Sequence, residues 1–263
     1  LDFPTDFDSV DRAAQRFRYV HDTYLRNNGI KTYLSVIPDK NTFIASQNGY
    51  PDKDYEALVK RLRSGFSQAE YIDISALLSA DDFYYTDSHW RQEKILTVAD
   101  KIADKMGAER IGHCEKHDAG VSFYGVYYGQ AALPHAPERL FYLDNAVIRG
   151  LKVYNAEESS DIPVYDLAAA AGRDPYEMFL GGVRSIIRIT NPNAAKERRL
   201  IVFRDSFGSS IAPLLAAGYS EITLVDIRYI TPSALGRMID FAKADDALFL
   251  YSASVINNSE TIK

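Results

Sequence analysis

The chain has 263 residues, 46% hydrophobic and 25% charged, a globular composition that excludes disorder, collagen-like repeats and coiled coil as the dominant state. Thirty Lys and Arg against 36 Asp and Glu leave a net charge of -6. That argues against a general nucleic-acid binder, which needs surface cations to replace phosphate counterions. A single cysteine, Cys114, excludes an intrachain disulfide framework but leaves the compartment open.

The length allows one large domain or two small ones. The sequence starts Leu1-Asp2-Phe3-Pro4, with neither an initiator Met nor an apolar leader, and reads as a trimmed or processed domain. No stretch approaches the ~20 apolar residues of a membrane helix, so no span is expected in it.

In chain order, residues 8–28 carry apolar side chains at helical intervals (Val10, Phe17, Val20, Tyr24, Leu25) and end in Asn27-Asn28-Gly29, a helix stop signal. Residues 31–37 read as a strand, 55–62 as a helix and 71–74 as a second strand. An amphipathic helix follows over 91–106. From about Gly112 to Pro192 short β-type runs, at 121–128, 139–143, 147–154 and 185–190, are broken by Gly, Pro and Asn. This segment predicts an antiparallel elaboration. Many of the 18 tyrosines fall in it, which fits either a stacking surface for sugar rings or the plain β preference of aromatic residues. Beyond Arg198 the order is strand 199–203, helix 209–217, strand 221–225, helix 234–243 and strand 247–251. Strands apolar throughout, alternating with helices, predict a parallel sheet covered on both faces. The two ends of the chain share this pattern, and the simplest fold joins them in one sheet.

Asp205-Ser206-Phe207-Gly208 follows a buried-type strand and precedes a helix. Ser206 is thereby expected at the carboxyl edge of the sheet, where open α/β sheets bind ligands and the helix start favours a developing oxyanion. The alternative is that Ser206, Ser209 or Ser210 is only an N-cap. Among five histidines, His89 stands out in Thr86-Asp87-Ser88-His89-Trp90. A carboxylate two residues away can fix the imidazole tautomer; alternatively Asp87 or Ser88 caps the helix at 91. A third cluster, His113-Cys114-Glu115-Lys116-His117, has a His-x3-His spacing suited to zinc on a helix, but no second ligand pair has zinc-site spacing, and Gly112 and Gly120 suggest a loop.

Thr86-Asp87-Ser88-His89-Trp90 together with Asp205-Ser206-Phe207 resembles the SGNH-hydrolase-like proteins that include the DHHW-motif family and the alginate O-acetylation proteins of bacteria. The similarity extends through Ile37-Pro38-Asp39-Lys40, Phe179-Leu180-Gly181-Gly182 and Val225-Asp226-Ile227-Arg228-Tyr229. In the DHHW family a histidine stands where this chain has Ser88; the carried-over base is the second histidine, His89. The resemblance implies a flavodoxin-like three-layer α/β sandwich, circularly permuted so that the serine strand comes late. It makes residues 1–263 one SGNH-like domain with 112–192 as a β-rich insertion.

The same resemblance implies a serine esterase or O-acetyltransferase with a triad of Ser206, His89 and Asp87. Lys40, Arg204, Arg228 and Tyr229 are candidates for the oxyanion or substrate pocket. Arg204 stands where SGNH enzymes usually carry glycine, and the segment that should bring an oxyanion asparagine offers Ser252, Ser254, Asn257 and Asn258. The expected partners are a carbohydrate polymer or an acylated small molecule, with a membrane-bound acyl donor protein as a further candidate. No cofactor or metal is implied, and the location is extracytoplasmic. The alternative function is a non-catalytic carbohydrate-binding or cell-envelope scaffold that keeps the fold.

Overall fold

The computed structural model describes residues 3–131 and 135–263. Among these, the strands are β1 (Lys31–Ile37), β2 (Glu70–Tyr71), β3 (Glu115–Phe123), β4 (Glu138–Asp144), β5 (Lys152–Asn155), β6 (Ser160–Ile162), β7 (Ile186–Thr190), β8 (Arg199–Arg204), β9 (Glu221–Val225) and β10 (Asp246–Ser252). Eight form one sheet in the order β2-β1-β10-β8-β9-β7-β5-β6. β2, β1, β10, β8 and β9 run parallel, while the junctions β9 to β7, β7 to β5 and β5 to β6 are antiparallel. β3 and β4 make a separate antiparallel hairpin. Both ends of the chain thus enter one sheet, with β8 at its centre, and part of the 112–192 segment extends that sheet while the rest stands apart.

The central strands are buried along nearly their whole length and mostly apolar, because both faces are covered. Along β8, Leu200 and Val202 enter one core cluster and Ile201 and Phe203 the other, as the two-residue side-chain period of a strand requires. The first face packs on the helix Leu96–Met106 and the helical stretch after Ser206. The second packs on the helices Phe7–Val20 and Tyr55–Gly65. A third cluster of Tyr84, Phe123, Leu140, Tyr176, Met178 and Phe179 joins the β3–β4 hairpin to the 84–90 loop.

Several elements differ from the sequence expectation. Val126–Ala131 is helical rather than extended, because Val126 N and Tyr127 N donate to Asp87 and Thr86 and turn the backbone away from a ladder. Ala146–Gly150 is also a helix: Asn145 caps it by accepting from Ile148 N, which overrides the β preference of Val147 and Ile148. The helix expected from Arg91 starts at Leu96, after a 3₁₀ turn at Gln92–Lys94. The expected helix over 234–243 is instead three short turns, interrupted where Ile239 and Asp240 become extended.

Phe249 on β10 is fully buried, its ring centroid lying 4.9 Å from Phe17, 5.0 Å from Phe66 and 4.6 Å from Phe203. Phe249→Ala is expected to cost about 3–5 kcal/mol of folding stability, measured as a lower urea midpoint at unchanged slope.

Candidate active site

β8 ends in a turn tied to its neighbour. Asp205 accepts from Phe207 N through Oδ1 (3.1 Å) and from Ser252 N at the end of β10 through Oδ2 (2.7 Å). Gly208 lets the next helical turn close down: a Cβ there would lie 2.6 Å from the Cβ of Arg204. Ser206 occupies the N-cap position of Phe207–Ile211 but makes no side-chain cap bond, which removes the simple capping explanation for it. The α-helix covers only five residues before tightening at Ala212–Gly218, shorter than expected. Ser206 N donates to no acceptor among the described residues, leaving one backbone donor beside the hydroxyl.

The loop at 84–90 is closed by an antiparallel bridge between Phe83 and Trp90 and by Tyr84 N donating to His89 O (3.1 Å). Inside it Asp87, 2% exposed, accepts through Oδ1 from His89 N (2.9 Å) and His89 Nδ1 (2.6 Å), and through Oδ2 from Val126 N (2.9 Å). Ser206 Oγ lies 2.7 Å from His89 Nε2. Nδ1–H toward the carboxylate and Nε2 toward the hydroxyl is the neutral tautomer in which the imidazole accepts the serine proton. Burial alone would raise the Asp87 pKa, but the donors of His89 and Val126 together hold it below the ordinary carboxylate value.

Two charges clamp this loop from opposite sides. Lys40 Nζ donates to the carbonyls of Tyr84 (2.8 Å), Tyr85 (2.9 Å) and Asp87 (3.2 Å). Burial pulls the Lys40 pKa down, against the opposing pull of Glu138 and Asp87. Glu138, at the start of β4, accepts from Tyr85 N, Thr86 N and Thr86 Oγ1 at 2.7–2.8 Å.

Ser206 opens into a cleft of about 1480 Å³ shared with Lys40, Lys53, Ser88, Glu138 and Ser254. The structure brings Ser206, His89 and Asp87 together, with Lys40 behind the Asp87 loop. It does not bring Arg204, Arg228 or Tyr229 to the cleft. Arg204 is 1% exposed beneath the Gly208 turn, 3.9 Å from Asp226, because its position on β8 faces the helix. Arg228 closes a two-pronged contact on buried Asp226 (2.9 and 2.7 Å), and Tyr229 is 51% exposed under the Arg228 guanidinium. Of the expected oxyanion region, Ser252 and Ser254 line the cleft, whereas Asn257 is engaged by Asp6 N and Pro4 O, and Asn258 holds the Ser254 carbonyl.

His113, Cys114 and His117 do not form a metal-type cluster: His117 stacks on Tyr142, Cys114 Sγ accepts from Asn145, and among the described residues no group of three or more His, Cys, Asp or Glu assembles. Sequence reasoning missed Glu138, Gly125, Val126 and Tyr176, which carry no local motif. The one available signal was Trp90, the chain's only tryptophan, whose Nε1 donates to Ser210 Oγ (2.8 Å) one turn beyond Ser206.

A family model described as DHHW protein matches residues 72–225, more than half of the chain. The chain belongs to the DHHW family. Its fold is the expected α/β sandwich, a central mixed sheet with helices on both faces. A crystal structure of a DHHW family protein from Eubacterium siraeum is similar over 97% of this chain and 88% of that one, with 17% identity and a TM-score of 0.76. PatB1 from Bacillus cereus, determined with a sulfonyl adduct, is 16% identical over 98% and 91% of the two chains with a TM-score of 0.75. The O-acetyltransferase domain of AlgJ from Pseudomonas putida is 13% identical over 95% and 84%, with a TM-score of 0.56. No curated protein sequence matches the chain. Within this DHHW member, Asp87-Ser88-His89-Trp90 puts Ser88, half-buried, on the cleft wall. Among the described residues no helix is long and apolar enough to cross a membrane.

Gly125 packs against the loop so closely that a Cβ would lie 2.3 Å from Asp87 Cβ and 2.4 Å from Thr86 O. Gly125→Ala is expected to cost about 1–3 kcal/mol of stability through overpacking, and to shift the downfield NMR resonance of the His89 Nδ1 proton as Asp87 is displaced.

Proposed function

We propose that this DHHW protein is a serine-dependent esterase or O-acetyltransferase acting on acyl groups of a cell-envelope or extracellular carbohydrate polymer. The observation that carries the reading is the unbroken chain from Asp87 Oδ1 through His89 to Ser206 Oγ, with links of 2.6 and 2.7 Å. In it, Ser206 Oγ attacks the acyl carbonyl carbon while its proton passes to His89 Nε2, and Asp87 stabilises the imidazolium. The tetrahedral oxyanion takes a hydrogen bond from Ser206 N. Its collapse breaks the bond to the leaving oxygen, which takes the proton from His89. A water or sugar hydroxyl then attacks the acyl-enzyme, giving its proton to His89, and Ser206 leaves with that proton.

A carbohydrate fits what the cleft leaves open. Of its charged residues, Lys53 pairs with Asp39 and Arg91 with Glu93, while Lys40 and Glu138 are engaged by the loop and Asp205 by backbone amides; Asp81 and Lys94 also lie on its wall, where they can meet sugar hydroxyls. The cleft also presents Tyr85, Tyr127 and Tyr128; Tyr85 stacks on His135, Lys40 lies over Tyr127 and Tyr128 packs on Tyr124, and the sides these contacts leave open suit the apolar side of a sugar ring. An acylated small molecule would use the same donors. Residues 1–263 act in this reading as one domain, with 112–192 inserted to complete the site. The reading includes an extracytoplasmic setting and an acyl donor held by a membrane protein; the likeness to an O-acetyltransferase domain supports its acyl-transfer side.

Ser206→Ala is expected to abolish hydrolysis of a chromogenic acetyl ester, a loss on the order of 10⁶ in kcat where a triad serine is removed. Phenylmethanesulfonyl fluoride should add one sulfonyl group to Ser206 of the wild type, read by peptide mass. Equal turnover by wild type and variant sinks the proposal. Polysaccharide binding that survives Ser206→Ala, with no adduct on the wild type, favours a non-catalytic scaffold.

A further inference from the structure

His89 is held at both nitrogens and is also packed against two aromatic rings. The Tyr176 ring lies 3.9 Å from the imidazole centroid at an interplanar angle of 13°, a parallel stack, and the Phe207 ring lies 4.9 Å away, tilted at 48°. Tyr176 is itself anchored. It is 4% exposed, in the turn Pro175–Met178, with its amide donating to Asp174 Oδ1 and its ring against Phe179 and Tyr84. Its hydroxyl donates to Ser210 Oγ (2.8 Å), the atom that also receives Trp90 Nε1 (2.8 Å) and donates to Phe207 O (3.2 Å). Ser210 is one helical turn after Ser206. The stack on the base is therefore tied to the turn that carries the nucleophile.

We propose that Tyr176 is a positioning residue for His89, which keeps the imidazole in register with Ser206 and stabilises the imidazolium through its ring face. This rests on the triad reading above. The face of an aromatic ring is the negative pole of its quadrupole, so a parallel ring gains attraction when the imidazole becomes a cation. Burial also holds the phenol proton in place, because it pushes the Tyr176 pKa up, so the ring stays neutral when the imidazole takes the serine proton. The groups facing His89 are Asp87 at Nδ1, Ser206 at Nε2, and the rings of Tyr176 and Phe207. Asp205 and Lys40 are the next charges, acting on Tyr176 and Asp87 respectively.

The test combines acetyl-ester kinetics between pH 5 and 9 with an NMR titration of the His89 Cε1 proton, on the wild type, Tyr176→Phe, Tyr176→Leu and Tyr176→Met. Phe keeps the ring and loses the tether, so its kcat should stay within a few-fold and its titration midpoint near that of the wild type. Leu and Met lose the ring face; kcat should fall about tenfold with KM unchanged, within the span of a partly desolvated cation–π contact. Their His89 midpoint should move to lower pH, because the protonated form loses its favoured partner. The Met variant serves if Leu does not fold. Wild-type kcat and midpoint in Leu or Met overturn the proposal, and so does a loss of activity with an unmoved midpoint, which makes Tyr176 mere packing. Full activity in Ser206→Ala or His89→Ala, run in parallel, overturns the triad reading instead.

Discussion

Two serines one helical turn apart, Ser206 and Ser210, fix where the His89-Trp90 dipeptide must lie. His89 Nε2 meets Ser206 Oγ at 2.7 Å and Trp90 Nε1 donates to Ser210 Oγ at 2.8 Å. Both contacts form only if the dipeptide lies across the first turn of that helix. The indole, fully buried against Phe207, supplies apolar burial that makes this register favourable, and its N–H has no solvent alternative. The imidazole, which has little apolar surface to bury, is held where the indole puts it. The turn after β8 is fixed in the same way by Asp205, whose two oxygens accept from Phe207 N and Ser252 N.

The parallel half of the fold was legible because β1, β8, β9 and β10 are buried on both faces and read as near-continuous apolar runs. Asp87, His89 and Ser206 were legible as short motifs. The 112–192 segment was harder. Residues 126–131 and 146–150 carry β-branched residues that suggest strands, yet each forms a helix started by a donor–acceptor match to a side chain, Asp87 in one case and Asn145 in the other. A local cap outweighs intrinsic preference when only one turn is at stake. Arg204, Arg228 and Tyr229 were drawn to the cleft by their place at strand ends. Which face of the sheet a strand-end side chain takes depends on the pleat, and Arg204 falls on the face covered by the helix. Glu138 and Tyr176 were invisible for another reason: they act on partners roughly fifty to ninety residues away, and nothing in their own surroundings names those partners.

The placement of charge follows from the cost of burying it. Asp87 sits 2% exposed and stays ionised because three donors reach it, of which His89 N and Nδ1 come from its own loop and Val126 N from the segment beyond Phe123. A loop that carries a buried anion must itself be rigid, since a small shift would leave the carboxylate under-coordinated in a low dielectric. Lys40 binds the loop carbonyls and Glu138 its amides, so backbone polar groups of the loop that join no sheet are met by full charges of complementary sign. Hydrogen bonds to charged groups are worth roughly 1.5–3 kcal/mol each, which makes this clamp stiffer than a clamp of neutral partners. The contributions come from the end of β1 and the start of β4, on either side of the loop in the sequence. Asp87 therefore has its full set of donors only once the β3–β4 hairpin has docked against the 84–90 loop, and the third core cluster of Tyr84, Phe123, Leu140 and Tyr176 supplies the apolar contact for that docking.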